Sequence, residues 1–179
     1  PTQPFIKYLC SLVEREDRGA LAQLRRGLGK PPGSCAAMYP YVVPWLRTDC
    51  PPWEQDAHYL VASLFASHAD HSDHFRSMGE TMRRVGAASG DDASTERRFV
   101  ALLNASGDEL PDHLRHAVAL AKSKGVSVNY ERLCKDIMNW NSDFRNVQKA
   151  WAADFWAQKI TTTVAEDKSS TAEKVQEAQ

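Results

Sequence analysis

No stretch of this 179-residue chain approaches the ~20 uninterrupted apolar residues that a membrane-spanning helix requires, and its first residues lack the basic, apolar and small-residue order of a secretory signal. The expectation is a soluble, cytoplasmic protein with no membrane partner. The four cysteines, Cys10, Cys35, Cys50 and Cys134, include no CxxC pair, which removes the common zinc and dithiol frames and leaves buried free thiols as the reading. GxSxG, HExxH, Walker and Rossmann patterns are also missing, so the usual signatures of nucleophilic hydrolysis, zinc proteolysis and nucleotide binding are not written here. No segment combines sustained two-residue alternation with β-branched richness, so a sheet has nothing to be built from. No solenoid period runs along the chain. Charge of one sign is lacking too: the formal net charge is -1, and any affinity for a polyanion must come from a local patch.

What is present is apolar material at helical spacing. With 42% hydrophobic residues and five Trp, six Phe and five Tyr, the chain can fill one ordinary core. Phe5, Leu9, Leu12 and Val13 predict a helix over residues 4–15. Asp17 caps a second over about 18–28, with Leu21, Leu24 and Leu28 inward and Gly29 as a left-handed stop. Prolines 40 and 44 break the apolar run MYPYVVPWL into helical turns. Pro52 opens a central helix to about Ser67, its stripe formed by Trp53, Ala57, Leu60, Leu64 and Phe65. Residues 68–92, interrupted by Gly79, Gly86 and Gly90, read as a mobile connection with one brief helix around Met78, Met82 and Val85. Asp92 or Ser94 would cap the next helix, with Phe99, Leu102 and Leu103 inward. Pro111 begins another, ended by Gly125, and Asn129 and Ser142 would cap the last two. The fold class is all-α: a compact single-domain bundle of about eight or nine helices, with room for two sub-bundles. It spans residues 1–160, and residues 161–179 form an acidic tail too poor in large apolar groups to offset the entropy of ordering.

Three arginine doublets, Arg25-Arg26, Arg83-Arg84 and Arg97-Arg98, lie on or beside these helices. Guanidinium groups grip phosphate oxygens bidentately and stay charged at physiological pH. A single doublet is explained by a solvated helix face pairing with carboxylates. Together with Arg18, Arg115, Lys122, Arg132, Arg145 and Lys149, the doublets describe a binding surface if they converge in space. Arg18 and Arg25 share a face, as do Arg115 and Lys122, nearly two turns apart. Arg97 and Arg98, read at a helix start, would oppose the helix dipole and so need another use.

Two other clusters have simpler accounts. HADHSDH places His68, His71 and His74 three apart among Asp70 and Asp73, a set that could hold zinc or iron, but no catalytic frame surrounds it and the composition is that of a solvated loop. Asp108, Glu109 and Asp112 meet a helix N-terminus, where the dipole favours them. The tryptophans could stack on bases if exposed, though most fall on inward stripes. No metal, cofactor or catalytic residue is assigned.

The segments DRGALAQLRRG, YPYVVPWL, YLVASLFASH, ERRFVALL, LPDHLRHAVALAKSKGVSVNYERLCKDIMNW and VQKAWAADFW, in that order, resemble the CasB family from Phe5 to Ala157. CasB proteins form the small subunit of the type I-E CRISPR surveillance complex, Cascade. The resemblance implies a helical subunit without catalysis, with no small-molecule substrate, present with a second copy of itself and in contact with the backbone and large subunits. It also implies a basic surface that binds guide RNA and the displaced single strand of the R-loop without reading sequence. The carry-over is firmest for Arg25, Arg26, Arg97, Arg98 and Arg115, with Arg145 and Lys149 expected in the same groove. The alternatives are a structural adaptor whose arginines meet acidic partners, and a small metal-dependent hydrolase centred on His68, His71 and His74.

Overall fold

The computed structural model describes residues 2–156; the acidic tail lies outside them. Nine α-helices are present among the described residues: α1 (Thr2–Glu14), α2 (Arg18–Arg25), α3 (Tyr39–Val42), α4 (Pro52–Ser67), α5 (Met78–Ser89), α6 (Asp92–Asn104), α7 (Leu110–Ser123), α8 (Tyr130–Met138) and α9 (146–156). Two 3-10 turns, Ala36–Met38 and Val43–Trp45, flank α3. No strand occurs among these residues, only an isolated parallel bridge between His71 and Val128. None of their helices is long and apolar enough to cross a membrane.

The helices fall into two groups. In one, α4 packs on α2 and α8, and α1 on α2 and α8; in the other, α5, α6 and α7 pack on one another, and α4 touches α7 to join the two. α9 belongs with the second group, where Phe155 stacks on Phe99 of α6 at 4.3 Å between ring centroids. The apolar interior runs through both groups as one cluster, from Phe5 to Phe155. α4 is the axis: eleven of its sixteen residues are buried, the pattern of a helix surrounded by neighbours.

Local chemistry explains most boundaries. Asp17 and Asn129 accept from the amides of Ala20 and Arg132, capping α2 and α8 as their residue types predict. α2 stops at Arg25, earlier than its leucine stripe suggests. Leu28 belongs to the turns that follow, and Gly29 takes its left-handed φ of 75° beyond the helix end. α6 is capped by Asp91, so Arg97 and Arg98 sit in its second turn, where the dipole penalty expected of a helix start has faded. Ser142 does not cap α9. Its carbonyl accepts the Arg145 amide in a turn, and Arg145, at φ 51°, passes its own carbonyl to the Lys149 amide.

The largest departure lies between residues 68 and 92. Instead of a brief turn in a mobile connection, α5 runs twelve residues, and the loop before it is tied down. Val128 N–H donates to the Asp70 carbonyl and Ser72 N–H to the Val128 carbonyl. Asn129 Nδ2 donates to the Phe75 carbonyl at 2.7 Å. Two of the interrupting glycines are contact residues: a Cβ on Gly79 would meet the Trp151 carbonyl, and one on Gly86 would stand 2.8 Å from Asp92 Oδ1. Only Gly90, at φ 67°, acts as the stop that its type suggests.

Trp140 and Trp151 are buried and Trp45 and Trp156 pack partly against the core, but Trp53 is 56% exposed and does not belong to the α4 stripe. Pro52 and Trp53 lie at the very start of α4, before the flanking elements close over it. All four cysteines are free; Cys50 and Cys134 are buried and Cys10 and Cys35 half-buried. Burial pushes the Cys134 thiol up to about 12, which leaves it protonated and inert.

Candidate nucleic-acid interface

A helix leaves its last carbonyls without intrahelical donors. The C-terminus of α4 finds them from three other helices. Arg25 Nε of α2 donates to the Ala66 carbonyl at 3.0 Å, and Lys122 Nζ of α7 donates to the next carbonyl, that of Ser67, at 2.7 Å. The Tyr130 hydroxyl of α8 donates to the His68 carbonyl, and burial drives its pKa far above the ordinary phenol. The negative end of the α4 dipole further favours the two cations. Two basic residues remote in sequence are thereby held on consecutive peptide groups.

Neither cation is used up. Both residues are exposed, and a guanidinium that spends one of five N–H donors, or an ammonium that spends one of three, keeps the rest for an anion. Arg115 extends the set along α7; its side chain passes Gly29 in the loop after α2 and reaches Asp112 Oδ1 at 3.3 Å. On another face of α7, His113, His116 and Ser123 line a groove closed from α6 by Arg98. A cationic seam thus runs from Arg115 and Lys122 on α7 across the end of α4 to Arg25 on α2, and Arg98 lies apart from it, on the groove at another face of α7. The histidines are the part that sequence reasoning missed; their signal was the HLRHAV motif, in which His113 and His116 stand three apart on one side of the helix.

The remaining basic residues divide. Arg18, Arg26, Arg97 and Lys149 are exposed and have no side-chain hydrogen bond or ion pair among the described residues. Others serve the fold. Arg84 donates through Nε and Nη2 to Glu80 Oε1 at 3.1 and 2.8 Å and lies 4.4 Å over the Phe75 ring, while Arg83 stands 3.6 Å from the same oxygen. Burial raises the Glu80 pKa, but the Arg76 amide and the two guanidiniums outweigh it and hold the carboxyl below its usual range. Arg132 Nε donates to Asp136 Oδ1 at 2.8 Å, and Trp151 Nε1 donates to Oδ2 at 2.6 Å. Arg145 donates to the Leu103 carbonyl at the end of α6.

The histidine stretch also has structural employment. His68 Nε2 bonds the Val126 carbonyl at 2.8 Å, and His71 Nδ1 lies 3.2 Å from both the Val128 carbonyl and the Tyr130 amide. Those contacts zip the loop after α4 to the strand-like stretch before α8, and His74 points into solvent. No group of three or more potential metal ligands is assembled among the described residues.

An all-helical architecture around one buried axis defines the class of this protein: a small helical protein with cations gathered at the end of its central helix. The chain belongs to the CRISPR-associated protein Cse2 family, whose family model matches residues 20–156. It is 37% identical to the CRISPR-associated protein Cse2 of Thermus thermophilus, over 87% of this chain and 90% of that protein. The crystal structure of CasB from Thermus thermophilus superposes with a TM-score of 0.77 at 35% identity, over 88% of this chain and 98% of that one. A chain of a CRISPR RNA-guided surveillance complex shares the fold, with a TM-score of 0.76 at 23% identity, over 92% of this chain and 96% of that one.

Proposed function

We propose that this protein is a non-catalytic subunit of a type I-E CRISPR surveillance complex that holds nucleic acid through its phosphates without reading sequence. The convergence of Arg25 and Lys122 on the Ala66 and Ser67 carbonyls carries the reading, because it makes an immobilised pair of cations out of a chain with almost no net charge. The candidate residues are Arg18, Arg25, Arg26, Arg97, Arg98, Arg115, Lys122 and Lys149, with Arg83, Arg84, Arg132 and Arg145 contributing the donors that their internal partners leave free.

Membership of the Cse2 family and the shared fold with a surveillance-complex chain support the partners: backbone and large subunits, a second copy, guide RNA and the displaced DNA strand. Exchange of duplex DNA for a guide heteroduplex is nearly balanced, so added backbone contacts on the displaced strand tip it without choosing a sequence. The adaptor reading has one observation in its favour, that Arg83, Arg84 and Arg132 are already ion-paired.

Fluorescence anisotropy of labelled single-stranded DNA and RNA across a salt series separates the two. Phosphate binding predicts a log–log slope of about -0.7 per neutralised phosphate, summing to several contacts and equal for unrelated sequences. No salt-dependent binding at any strand length would overturn it in favour of the adaptor.

A further inference from the structure

A cavity of about 480 Å³ opens between the loop after α2, the first half of α4, the start of α7 and the end of α8. It lies beside the cationic seam, yet its chemistry is different. Its floor is apolar, with Met38, Leu60 and Trp140, and two aromatic side chains, Trp53 and Tyr59, stand in its wall. Tyr39, 42% exposed, continues that wall, its ring centroid 5.9 Å from that of Tyr59. Tyr39 and Trp53 are thus two of the six exposed large apolar side chains among the described residues, gathered at one opening.

The charges at the opening favour a cation. Asp56, Asp108 and Asp112 face Lys30 and Arg115. Arg115 and Asp112 lie within 3.3 Å and largely cancel. Asp56 has neither an ion pair nor a side-chain hydrogen bond among the described residues, and partial desolvation raises its pKa. A phosphate entering here would meet Asp56 and Asp108 against the single charge of Lys30, an excess of negative charge. A guanidinium would meet Asp56 as a charge-assisted acceptor and the face of Trp53 as a cation–π partner.

We propose that this cavity is a docking site for a protein partner that inserts an arginine side chain between Trp53 and Asp56. The size fits one long side chain with its flanking backbone, within the usual ~300–1,000 Å³ of ligand pockets. The anatomy, an aromatic anchor over an apolar floor with a polar rim, is that of an interface hot spot. The inference is independent of phosphate binding by the seam.

The test uses the full chain and two-dimensional NMR of its tryptophan indoles, with the Trp53 signal assigned through Trp53→Phe. Acetyl-Gly-Arg-Gly-amide should shift that signal saturably. The citrulline analogue, isosteric and uncharged, should not, and Asp56→Asn should weaken binding about tenfold while leaving the other indole signals and salt-dependent oligonucleotide binding unchanged. No saturable shift, equal binding of the citrulline peptide, or a stronger response to guanosine monophosphate than to the arginine peptide would overturn the proposal. Spermidine matching the arginine peptide would overturn it as well, since a simple polyamine site needs no planar fork.

Discussion

Gly79 of α5 lies against the backbone of Trp151 on α9, so that a Cβ at position 79 would stand 2.0 Å from the Trp151 carbonyl oxygen and 2.9 Å from its Cα. Neither atom can rotate away, so a side chain here forces the two helices apart. Gly79→Ala is expected to cost about 3 kcal/mol, at the upper end for overpacking. That would lower Tm by about 2 to 4 °C per kcal/mol in a chain of this size. Gly19→Ala is the contrast. Its Cβ would make only an ordinary 3.6 Å contact with Asp17, and thermal melts should show it gaining about 0.5 kcal/mol or more from helix propensity.

Arg25 and Lys122 share the end of α4, so removing both tests the seam and the fold together. Arg25→Ala with Lys122→Ala should reduce the salt slope of single-strand binding by about 1.4, two contacts at ~0.7 each, equally for unrelated sequences. Stability should fall by only about 1–2 kcal/mol, from two lost carbonyl partners at a helix terminus. A slope identical to that of the parent chain would remove both residues from the interface.

Glu80 gathers Arg83, Arg84 and the Arg76 amide around one buried carboxylate. Glu80→Gln should destabilise the protein by about 1–2 kcal/mol in urea unfolding, discounted for the half-exposed Arg84. The same substitution frees two guanidiniums. If these reach phosphate, oligonucleotide binding rises as stability falls, a combination that simple unfolding cannot produce.

His58 and Glu80 both weaken the fold in acid. His58 has Nδ1 on the Glu54 carbonyl at 2.7 Å and packs on Phe5, while Nε2 is buried without a partner. Desolvation lowers its pKa. Protonation therefore favours the unfolded chain, and the contribution of His58, complete above the ordinary value near ~6.5, is lost as pH falls below it. Glu80, also depressed, acts in the same direction but lower, below the ordinary carboxylate range. Urea midpoints should therefore fall between pH 7.5 and 5, and His58→Gln should flatten that part of the profile.

The helices were legible where a single helix explains itself. Asp17 and Asn129 cap α2 and α8 because a short polar side chain reaches an amide three residues on, a contact that needs no tertiary partner. The same local logic misread Gly79 and Gly86, which resemble breakers in sequence and are points of close approach in space. It also placed Trp53 on an inward stripe, although the periodicity of a helix cannot say where its neighbours begin to cover it. The family resemblance supplied by the order of motifs proved correct, as the Cse2 match shows.

By itself the sequence determined the helical class, the caps of α2 and α8, the absence of sheet-forming alternation and the family, since these depend on residues a few positions apart or on the order of long motifs. Which cations gather was decided only by the tertiary structure. The last carbonyls of α4 lack intrahelical donors, and Arg25 and Lys122 are the side chains that packing brings within 3.0 and 2.7 Å of them. The same packing spent Arg83, Arg84 and Arg132 on buried carboxylates, because an unpaired charge in the interior costs more than a lost surface contact.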